Sequence, residues 1–239
     1  MRVKVLFDKE TCDKKLHTGW GVSFLVNDEI IFDTGEKGEW LLENIDKLKV
    51  DIDELKSVVI SHQHWDHTNG LWALLEKKKN IKVYICPDFS QEFKDKINNL
   101  GGKIVECKDF VKVDDNIFST GQIEGFYEGG YLLEQALVLK IKDNLVVMTG
   151  CSHPGIVKIL KIIKNKFIKE KVYFVFGGFH LMDKDNREIK IIVEMFKEIG
   201  VEKVGPTHCT GYDAQSVFKE AYKDNFIFVK VGEEFRFSA

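Results

Sequence analysis

Along this chain, segments whose hydrophobic residues have the spacing of a strand alternate with segments whose hydrophobic residues have the spacing of a helix. Alternating or β-branched apolar runs predict strands, and apolar residues at helical spacing predict helices. The predicted strands are Arg2–Phe7, Gly21–Val26, Glu29–Phe32, Ser57–Ser61, Lys82–Cys86, Ala136–Ile141, Leu145–Met148, Val172–Phe176, Glu202–Gly205, Phe226–Val231 and Glu234–Phe237. The predicted helices are approximately Glu39–Lys49, Leu71–Lys78, Ser90–Leu100, Gly155–Lys166, Asn186–Ile199 and Ala214–Lys223. This order of elements predicts an α/β (α+β) fold.

One segment between the predicted elements leaves two interpretations open. Residues 104–126 form short strand-like pieces separated by Asp and Gly, and they lead into the glycine- and aromatic-rich stretch Gly125–Tyr131. This stretch is either the tip of a hairpin or a mobile loop that brings Tyr127 and Tyr131 to a substrate.

Length and composition predict one large domain over residues 1–239. The chain is 44% hydrophobic and 12% aromatic, which is enough apolar material to bury a sizeable core. Its formal net charge of -3 gives no reason to expect nucleic-acid binding. Arginines occur only at positions 2, 187 and 236, so bidentate phosphate contacts are scarce.

The cysteines and the N-terminus predict a cytoplasmic protein with no membrane partner. Five cysteines form no Cys-x-x-Cys pair and no even disulfide framework, which is typical of a reducing cytosol. The opening Met-Arg-Val-Lys-Val-Leu-Phe-Asp reads as a strand rather than a signal peptide. No apolar run approaches the roughly 18 residues that a membrane span requires.

A dense cluster of metal-competent side chains follows the strand Ser57–Ser61. It consists of His62, His64, Asp66 and His67. In an extended segment, alternate side chains leave the same face, so His62 and His64 can bind one ion together. Asp66 and His67 open the next helix and point toward a second position. Surface decoration is a poor explanation for so many ligands at this spacing.

Three further histidines follow predicted strands at their C-terminal ends. His153 precedes Pro154 at the start of a helix, whose positive N-terminus favours a neutral imidazole and a bound anion. His180 and His208 each follow a later strand. Ligands gather at this end of the strands in open α/β layers, so we expect these histidines near the first cluster. A simple capping role is the alternative for His153.

The motif His62-x-His64-x-Asp66-His67 resembles the signature of the metallo-β-lactamase superfamily. The resemblance implies a four-layer αββα sandwich with a dinuclear site at one edge. It assigns His62, His64 and His153 to one ion, and Asp66, His67 and His208 to the other, with a water or hydroxide between them. These ligands suit zinc first, with iron or manganese as alternatives.

The same resemblance implies an acid beside the ligands. This chain also differs from the pattern of the superfamily at two points. Asp33, before Thr34-Gly35, is expected to orient ligand histidines, although an ordinary turn residue is the alternative. Where most members carry a bridging Asp after Thr149-Gly150, this chain has Cys151, which either bridges the ions as a thiolate or only fills space. No histidine lies between His67 and His153, so His153 takes over the role of the missing ligand.

Several further motifs resemble one branch of this superfamily. They are residues 150–156 (Gly-Cys-Ser-His-Pro-Gly-Ile), residues 177–181 (Gly-Gly-Phe-His-Leu), residues 206–211 (Pro-Thr-His-Cys-Thr-Gly) and residues 134–137 (Glu-Gln-Ala-Leu). The branch is named for the archaeal 7,8-dihydropterin-6-methyl-4-(β-D-ribofuranosyl)aminobenzene-5'-phosphate synthase. Many of its members act on unassigned substrates, so the motifs do not identify one reaction.

Two chemistries are compatible with this site, and both use a small, phosphorylated substrate. Hydrolysis of a phosphate ester by a metal-bound hydroxide is the first expectation. Asp66 would then bind an ion and accept a hydrogen bond from the nucleophile. His180 would donate a proton to the leaving group. The alternative is transfer of a dihydropterin methyl group from its pyrophosphate to a ribofuranosylaminobenzene phosphate. The candidate substrate contacts are Trp20, Trp65, Tyr127 and Gln135.

A binding protein that uses metal for redox chemistry or sensing is a third possibility. The flavodiiron type needs an attached flavin domain, for which 239 residues leave no room.

Overall fold

The computed structural model describes residues 1–238 and contains the following elements. The strands are β1 (Arg2–Phe7), β2 (Ser23–Val26), β3 (Ile30–Phe32), β4 (Ser57–Val59), β5 (Lys82–Ile85), β6 (Lys103–Glu106), β7 (Val111–Asp114), β8 (Ile117–Ser119), β9 (Ile123–Tyr127), β10 (Gly130–Glu134), β11 (Leu137–Ile141), β12 (Asn144–Thr149), β13 (Lys171–Gly178), β14 (Lys203–Thr207) and β15 (Glu234–Arg236). The α-helices are α1 (Gly38–Lys47), α2 (Trp65–Lys77), α3 (Gln91–Asn99), α4 (Ile156–Lys166), α5 (Asn186–Ile199) and α6 (Tyr212–Tyr222).

The strands form two large sheets and one hairpin. The first sheet has the order β15-β1-β2-β3-β4-β5-β6, and the second has the order β14-β13-β12-β11-β8-β7. Pairing is antiparallel at the start of each half and becomes parallel from β3 to β6 and from β12 to β14. Strands β9 and β10 pair only with each other.

The two sheets pack face to face, and helices cover their outer faces. Phe24 and Phe32 of the first sheet lie against Phe176 of the second, with ring centroids of Phe24 and Phe176 5.0 Å apart. Separate apolar clusters join the first sheet to α1–α3 and the second sheet to α4–α6. The predicted four-layer αββα sandwich is confirmed.

Burial on both faces explains why the central strands are almost uninterrupted apolar runs. Strand β13 lies between two parallel neighbours, with the inner core on one face and helices on the other, and most of its residues are buried. Such strands lose the alternation that a half-exposed strand shows. Bulky β-branched and aromatic residues therefore dominate its sequence.

The predicted strand Phe226–Val231 was wrong. A short 3₁₀ helix ends at Asn225, and the following segment makes only isolated bridges, from Phe226 to Val204 and from Val231 to Thr11. One end therefore contacts β14 of the second sheet, whereas the other contacts the loop that follows β1. Phe226 and Val231 are buried at those contacts, so the apolar pattern reports burial across the sandwich edge rather than a continuous ladder.

The strand ends bring the predicted ligands to one edge of the sandwich. Asp33 follows β3 and His62 follows β4, which pair in parallel. Cys151, His180 and His208 follow β12, β13 and β14, which are also consecutive parallel neighbours. Parallel strands end at the same side of a sheet, so five chain segments converge there.

None of the helices described between residues 1 and 238 has both the length and the apolar character needed to cross a membrane.

Helix α2, which carries two of the predicted ligands, is held close to the chain after β3 by a glycine. A Cβ atom at Gly70 would lie 2.0 Å from the carbonyl oxygen of Thr34. The backbone cannot approach so closely with any side chain present. Gly70 therefore sets the distance between α2 and the segment that begins with Asp33.

We expect Gly70→Ala to lower the free energy of unfolding by about 1–3 kcal/mol because the added methyl group overpacks this contact. The higher helix propensity of alanine, about 1 kcal/mol, acts in the opposite direction. Chemical denaturation of the variant tests this. Asn69→Ala, at the exposed neighbouring position, is the control and should change stability by less than about 0.5 kcal/mol. Equal stability of both variants would contradict the close-contact explanation.

Candidate metal centre

Seven of the predicted ligands lie together in two adjacent groups. Within each group, one donor atom per residue lies within 4.8 Å of the others. The first group is His62, His64 and His153, and the second group is Asp66, His67, Cys151 and His208. The ring centroids of His62 and His67 are 4.3 Å apart, so the groups share a boundary.

Asp33 fixes the orientation of one histidine in each group. Its Oδ2 atom accepts a hydrogen bond from Nδ1 of His67 at 2.7 Å and from the hydroxyl of Ser61 at 2.7 Å. Because the Ser61 hydroxyl donates to Asp33, its oxygen accepts the bond from Nδ1 of His62 at 2.9 Å. Both imidazoles therefore use Nδ1 as a donor, which directs Nε2 of each toward the centre.

The second group has the electrostatics of a cation site. Burial lowers the pKa of His67, but the carboxylates of Asp33 and Asp66 outweigh burial and raise this pKa well above its usual value. Burial raises the pKa of Asp66, whereas the charge of His67 and hydrogen bonds from His208 and His67 hold it well below its usual range. A positive charge at Nε2 of His67 is thus stabilised, and a metal ion can replace the proton there.

The first group instead holds neutral imidazoles. Burial and the neighbouring histidines lower the pKa of His62 well below its usual value. Burial, His180 and His64 lower the pKa of His153 to about 2. Nε2 of His62 lies 3.0 Å from Nδ1 of His64. Neutral imidazoles with converging nitrogens are the form that binds a divalent ion.

His153 provides a direct test of whether these residues fit a metal. Both of its ring nitrogens are buried, and neither has a hydrogen-bond partner among residues 1–238. Unpaired buried polar atoms are destabilising, and native structures rarely keep them without a partner. An ion shared with His62 and His64 would satisfy one of these nitrogens, so the donor set fits.

Glu134 holds the loop that carries Cys151 and His153, a role that the sequence analysis missed. Its carboxylate accepts bonds from the backbone amides of Cys151 at 2.9 Å, Ser152 at 2.7 Å and His153 at 2.6 Å. Burial raises the pKa of Glu134 to about 7, although these amides oppose the shift. A buried acid at the end of an apolar strand was the available signal, within the motif Glu134–Leu137.

Cys151 lies at the centre of the second group. Its Sγ atom is 3.3 Å from Nε2 of His67 and 3.3 Å from Nε2 of His208. Burial raises the pKa of this thiol well above its usual value. The sulfur is thus placed where it could join both histidines in binding an ion, which would stabilise the thiolate.

His208 is held differently from His67. The amide of Gly21 donates to Nδ1 of His208 at 3.1 Å, and Nε2 lies 3.1 Å from Oδ2 of Asp66. A neutral ring that accepts at Nδ1 carries its proton on Nε2. His208 is therefore less well prepared to bind an ion than His67. Gly21 cannot be replaced easily, because a Cβ atom there would lie 1.8 Å from the carbonyl oxygen of Asp66.

The structure places His180 and Tyr127 beside the first group. The His180 ring is 4.3 Å from that of His153, and Cys151, His153 and His180 form a third set of close donor atoms. Tyr127 lies 4.9 Å from the rings of both His64 and His153. Trp65, at the start of α2, is 54% exposed.

The segment Gly125–Tyr131 is a hairpin tip, since it joins β9 and β10. Tyr127 of this tip nevertheless lies beside the candidate ligands, whereas Tyr131 is 56% exposed and packs on Phe126. Trp20 lies beside the second group, with its ring 4.7 Å from that of His208.

The prediction that Gln135 contacts a substrate is wrong. Its side chain is fully buried, and its amide donates to the carbonyls of Ile60 at 2.8 Å and Tyr84 at 3.2 Å. Its carbonyl oxygen accepts a bond from Ser119. Ile60 and Tyr84 belong to the first sheet or its strand ends, and Ser119 belongs to β8 of the second, so Gln135 joins the two sheets and cannot contact a substrate.

Comparison with known proteins identifies the family. A sequence model of the metallo-beta-lactamase superfamily matches residues 21–134. The 7,8-dihydropterin-6-methyl-4-(beta-D-ribofuranosyl)-aminobenzene-5'-phosphate synthase of Methanocaldococcus jannaschii is 31% identical over 264 residues, which cover 91% of this chain and 90% of that protein. The chain belongs to the metallo-beta-lactamase superfamily.

Two further proteins resemble the chain over nearly its whole length. The crystal structure of Tm1679, described as a metal-dependent hydrolase of the beta-lactamase superfamily, has a TM-score of 0.84 and 32% identity, with 100% of both chains covered. The uncharacterized protein MJ0448 of M. jannaschii is 30% identical and covers 97% of this chain and 98% of its own length. One named relative is thus a synthase and another a hydrolase, so membership leaves the reaction open.

We expect Asp33→Asn to weaken metal binding by about 10- to 100-fold, because the partner that orients ligand histidines is lost. Competition with a chromophoric chelator measures the affinity. Asp8→Asn is the control: Asp8 is also fully buried, but its carboxylate accepts bonds from Thr207 and from the Lys9 amide rather than from an imidazole. Equal metal affinity of Asp33→Asn and the unmodified protein would show that Asp33 does not prepare the ligands.

Proposed function

We propose that this protein is a metal-dependent hydrolase that cleaves a small phosphate ester at a dinuclear centre. The observation that carries the proposal is that a group of neutral imidazoles, His62, His64 and His153, lies beside a second group that contains the ionised carboxylate of Asp66. Two ions held side by side suit displacement at phosphorus, because both the attacking and the leaving oxygen need stabilisation.

Divalent ions, when bound, neutralise charge on the phosphate and lower the pKa of water to about 7. We expect zinc, since His, Asp and Cys ligands suit it and a cysteine thiolate favours it over harder ions. Iron and manganese are the alternatives if Cys151 is not a ligand.

In this proposal Asp66 has two tasks. One is to bind the second ion together with His67 and His208, whose nitrogens lie 3.3 Å and 3.1 Å from its Oδ2 atom. The other is to accept a hydrogen bond from the attacking water and orient it. Its low pKa supports both tasks, because the carboxylate is ionised throughout the working pH range.

His180 is the proposed proton donor to the leaving group. Its ring lies beside His153, and its backbone adopts φ 51°, a left-handed conformation that projects it from the end of β13. The hydrogen bond with Cys209 raises the pKa of His180, so the protonated form is available. Its Nδ1 atom is buried without a hydrogen-bond partner among residues 1–238.

The leaving group provides a specific test of His180. Metal-loaded protein should hydrolyse aryl phosphodiesters, and Asp66→Asn should abolish this activity. His180→Gln should slow an ester with a poorly leaving 4-methoxyphenolate by about 100-fold or more, because that oxygen needs a proton. The 4-nitrophenyl ester needs little protonation and should be slowed much less.

Asn69→Ala, on the exposed face of α2, is the control and should hydrolyse both esters at the normal rate. Equal slowing of both esters by His180→Gln would remove its role as a proton donor. Absence of hydrolysis in protein that contains its full complement of metal would contradict the hydrolase proposal.

Pterin-type transfer is the second candidate, and two observations favour it. The synthase of M. jannaschii is 31% identical over 91% of this chain. In addition, Trp65 is 54% exposed and Tyr127 is 39% exposed, at the rim of the centre. Exposed rings beside a catalytic site suit a planar substrate, which can stack on them.

In that reaction the acceptor ring would form a bond to the methylene carbon of the dihydropterin donor. The carbon–oxygen bond of the donor would break, and pyrophosphate would leave with that electron pair while the acceptor loses a proton. The ions would then hold the pyrophosphate, in place of activating a water.

Release of pyrophosphate distinguishes the two candidates. A transferase should release it only when both the dihydropterin methyl pyrophosphate and the ribofuranosylaminobenzene phosphate are present. Tyr127→Ala should then raise the KM for the pterin by about tenfold, since stacking on an aromatic ring contributes about 1–3 kcal/mol. Tyr131→Ala, on the same hairpin but packed on Phe126, is the control. Pyrophosphate release from the donor alone would indicate hydrolysis.

A further inference from the structure

A cavity that the proposed mechanism does not use lies beside the candidate metal centre. It has a volume of about 430 Å³ and is lined by residues that include Lys9, Trp20, Met182, Tyr212 and Asp213. We call it the Lys9 cavity. It lies between the segment after β1 and the start of α6.

The Lys9 cavity shares a wall with the second ligand group. The Trp20 ring centroid is 4.7 Å from that of His208. The Lys9 ammonium group lies 3.4 Å from the carbonyl oxygen of His208. The cavity therefore adjoins His208, and a substrate that extended from the centre past His208 would meet this lysine.

Lys9 is the cation of this cavity and has no ion-pair partner. Its Nζ atom lies 4.2 Å from the ring centroid of Tyr212, and within residues 1–238 no carboxylate oxygen lies within 4.0 Å of it. The nearby acids are Asp8, buried beneath it, Glu10 and Asp213. Burial lowers the pKa of Lys9, and Asp8 and Glu10 oppose that change.

Other cations near the centre are less suitable for binding an anion. Lys184, on the other side of the loop that follows His180, is paired with Glu188 at 3.2 Å. Arginines 2 and 236 lie in β1 and β15, and Arg187 lies in α5, outside the cavity lining. A partly buried ammonium group without an ion-pair partner, next to aromatic walls, thus distinguishes Lys9 from Lys184 and from the three arginines.

We propose that the Lys9 cavity binds a phosphate group of the substrate that is remote from the reacting bond, with the adjoining carbon skeleton packed on Trp20. This inference rests on the proposed function for the presence of a reacting phosphorus or carbon atom at the centre. It identifies the substrate class as a molecule with two charged groups, one at the ions and one at Lys9. Lys9 is then a determinant of specificity rather than a catalytic residue.

The test compares two unreactive ligands that differ by one charged group. Propane-1,3-bisphosphonate carries a second phosphonate, and propylphosphonate lacks it. Calorimetric titration of metal-loaded protein should show tighter binding of the bisphosphonate by about tenfold or more, because a charge-assisted hydrogen bond contributes about 1.5–3 kcal/mol. Metal content is measured after each titration, so that loss of ions to the ligand is detected.

Three variants determine whether Lys9 causes this preference. Lys9→Gln should abolish the preference for the bisphosphonate and leave the affinity for propylphosphonate unchanged, and Lys9→Arg should retain the preference. Lys184→Gln makes the same change of charge on the other side of the centre and should also retain it. The proposal is overturned if the unmodified protein shows no preference for the bisphosphonate or if Lys9→Gln keeps that preference. It is also overturned if Lys184→Gln reduces the preference as much as Lys9→Gln does.

The readout is equilibrium binding, so its outcome is independent of turnover. A preference that depends on Lys9, in a protein that hydrolyses no ester, would support the cavity and contradict the hydrolase proposal. Hydrolysis of an ester without such a preference would support the hydrolase proposal and contradict the proposed role of the Lys9 cavity.

Discussion

A single buried carboxylate, that of Asp33, connects the fold to the chemistry of the centre. It follows β3 in a left-handed conformation with φ 55°, and its amide donates to the carbonyl of Val59 in β4 at 2.9 Å. Its oxygens accept the amide and hydroxyl of Ser61 and Nδ1 of His67. Burial of a carboxylate is unfavourable unless its lone pairs are satisfied, and here every hydrogen bond also orients a ligand segment. The positions of His62 and His67 therefore depend on the pairing of β3 with β4.

Glu134 performs the corresponding task from the second half of the chain. It ends β10 and holds the three backbone amides of residues 151–153, which follow β12. The first group of ligands thus combines His62 and His64, after β4 of the first sheet, with His153, after β12 of the second. Packing of the two sheets is required to assemble it. The two groups also differ in charge: the imidazoles of the first are neutral, whereas the second contains the ionised carboxylate of Asp66, and His67 in it is hydrogen-bonded to Asp33. This asymmetry is suited to two ions with different roles.

The sequence predicted the parts of the site that depend on local spacing. His62, His64, Asp66 and His67 follow one strand at fixed intervals, and His153, His180 and His208 follow strands whose ends meet at one edge. The acid Glu134 at the end of an apolar strand was a signal in the sequence, but the sequence did not show that Glu134 points to the ligand loop while its neighbour Gln135 points to the core. That difference arises only when the sheets pack. For the same reason, the apolar run Phe226–Val231 resembled a strand, although one end contacts β14 and the other contacts the loop after β1. Lys9 had no local signal, because its neighbours Tyr212 and His208 lie about 200 residues away.

The central claim is that this chain holds two ions at adjacent sites and that Cys151 contributes to them. Elemental analysis of metal per chain, for the unmodified protein and for Cys151→Ala, tests it most directly. The account predicts two ions per chain in the unmodified protein and about one in Cys151→Ala, because the sulfur lies between His67 and His208 in the second group. Two ions in both proteins would contradict the role of Cys151. One ion or none in the unmodified protein, after reconstitution with zinc, iron or manganese, would contradict the dinuclear centre.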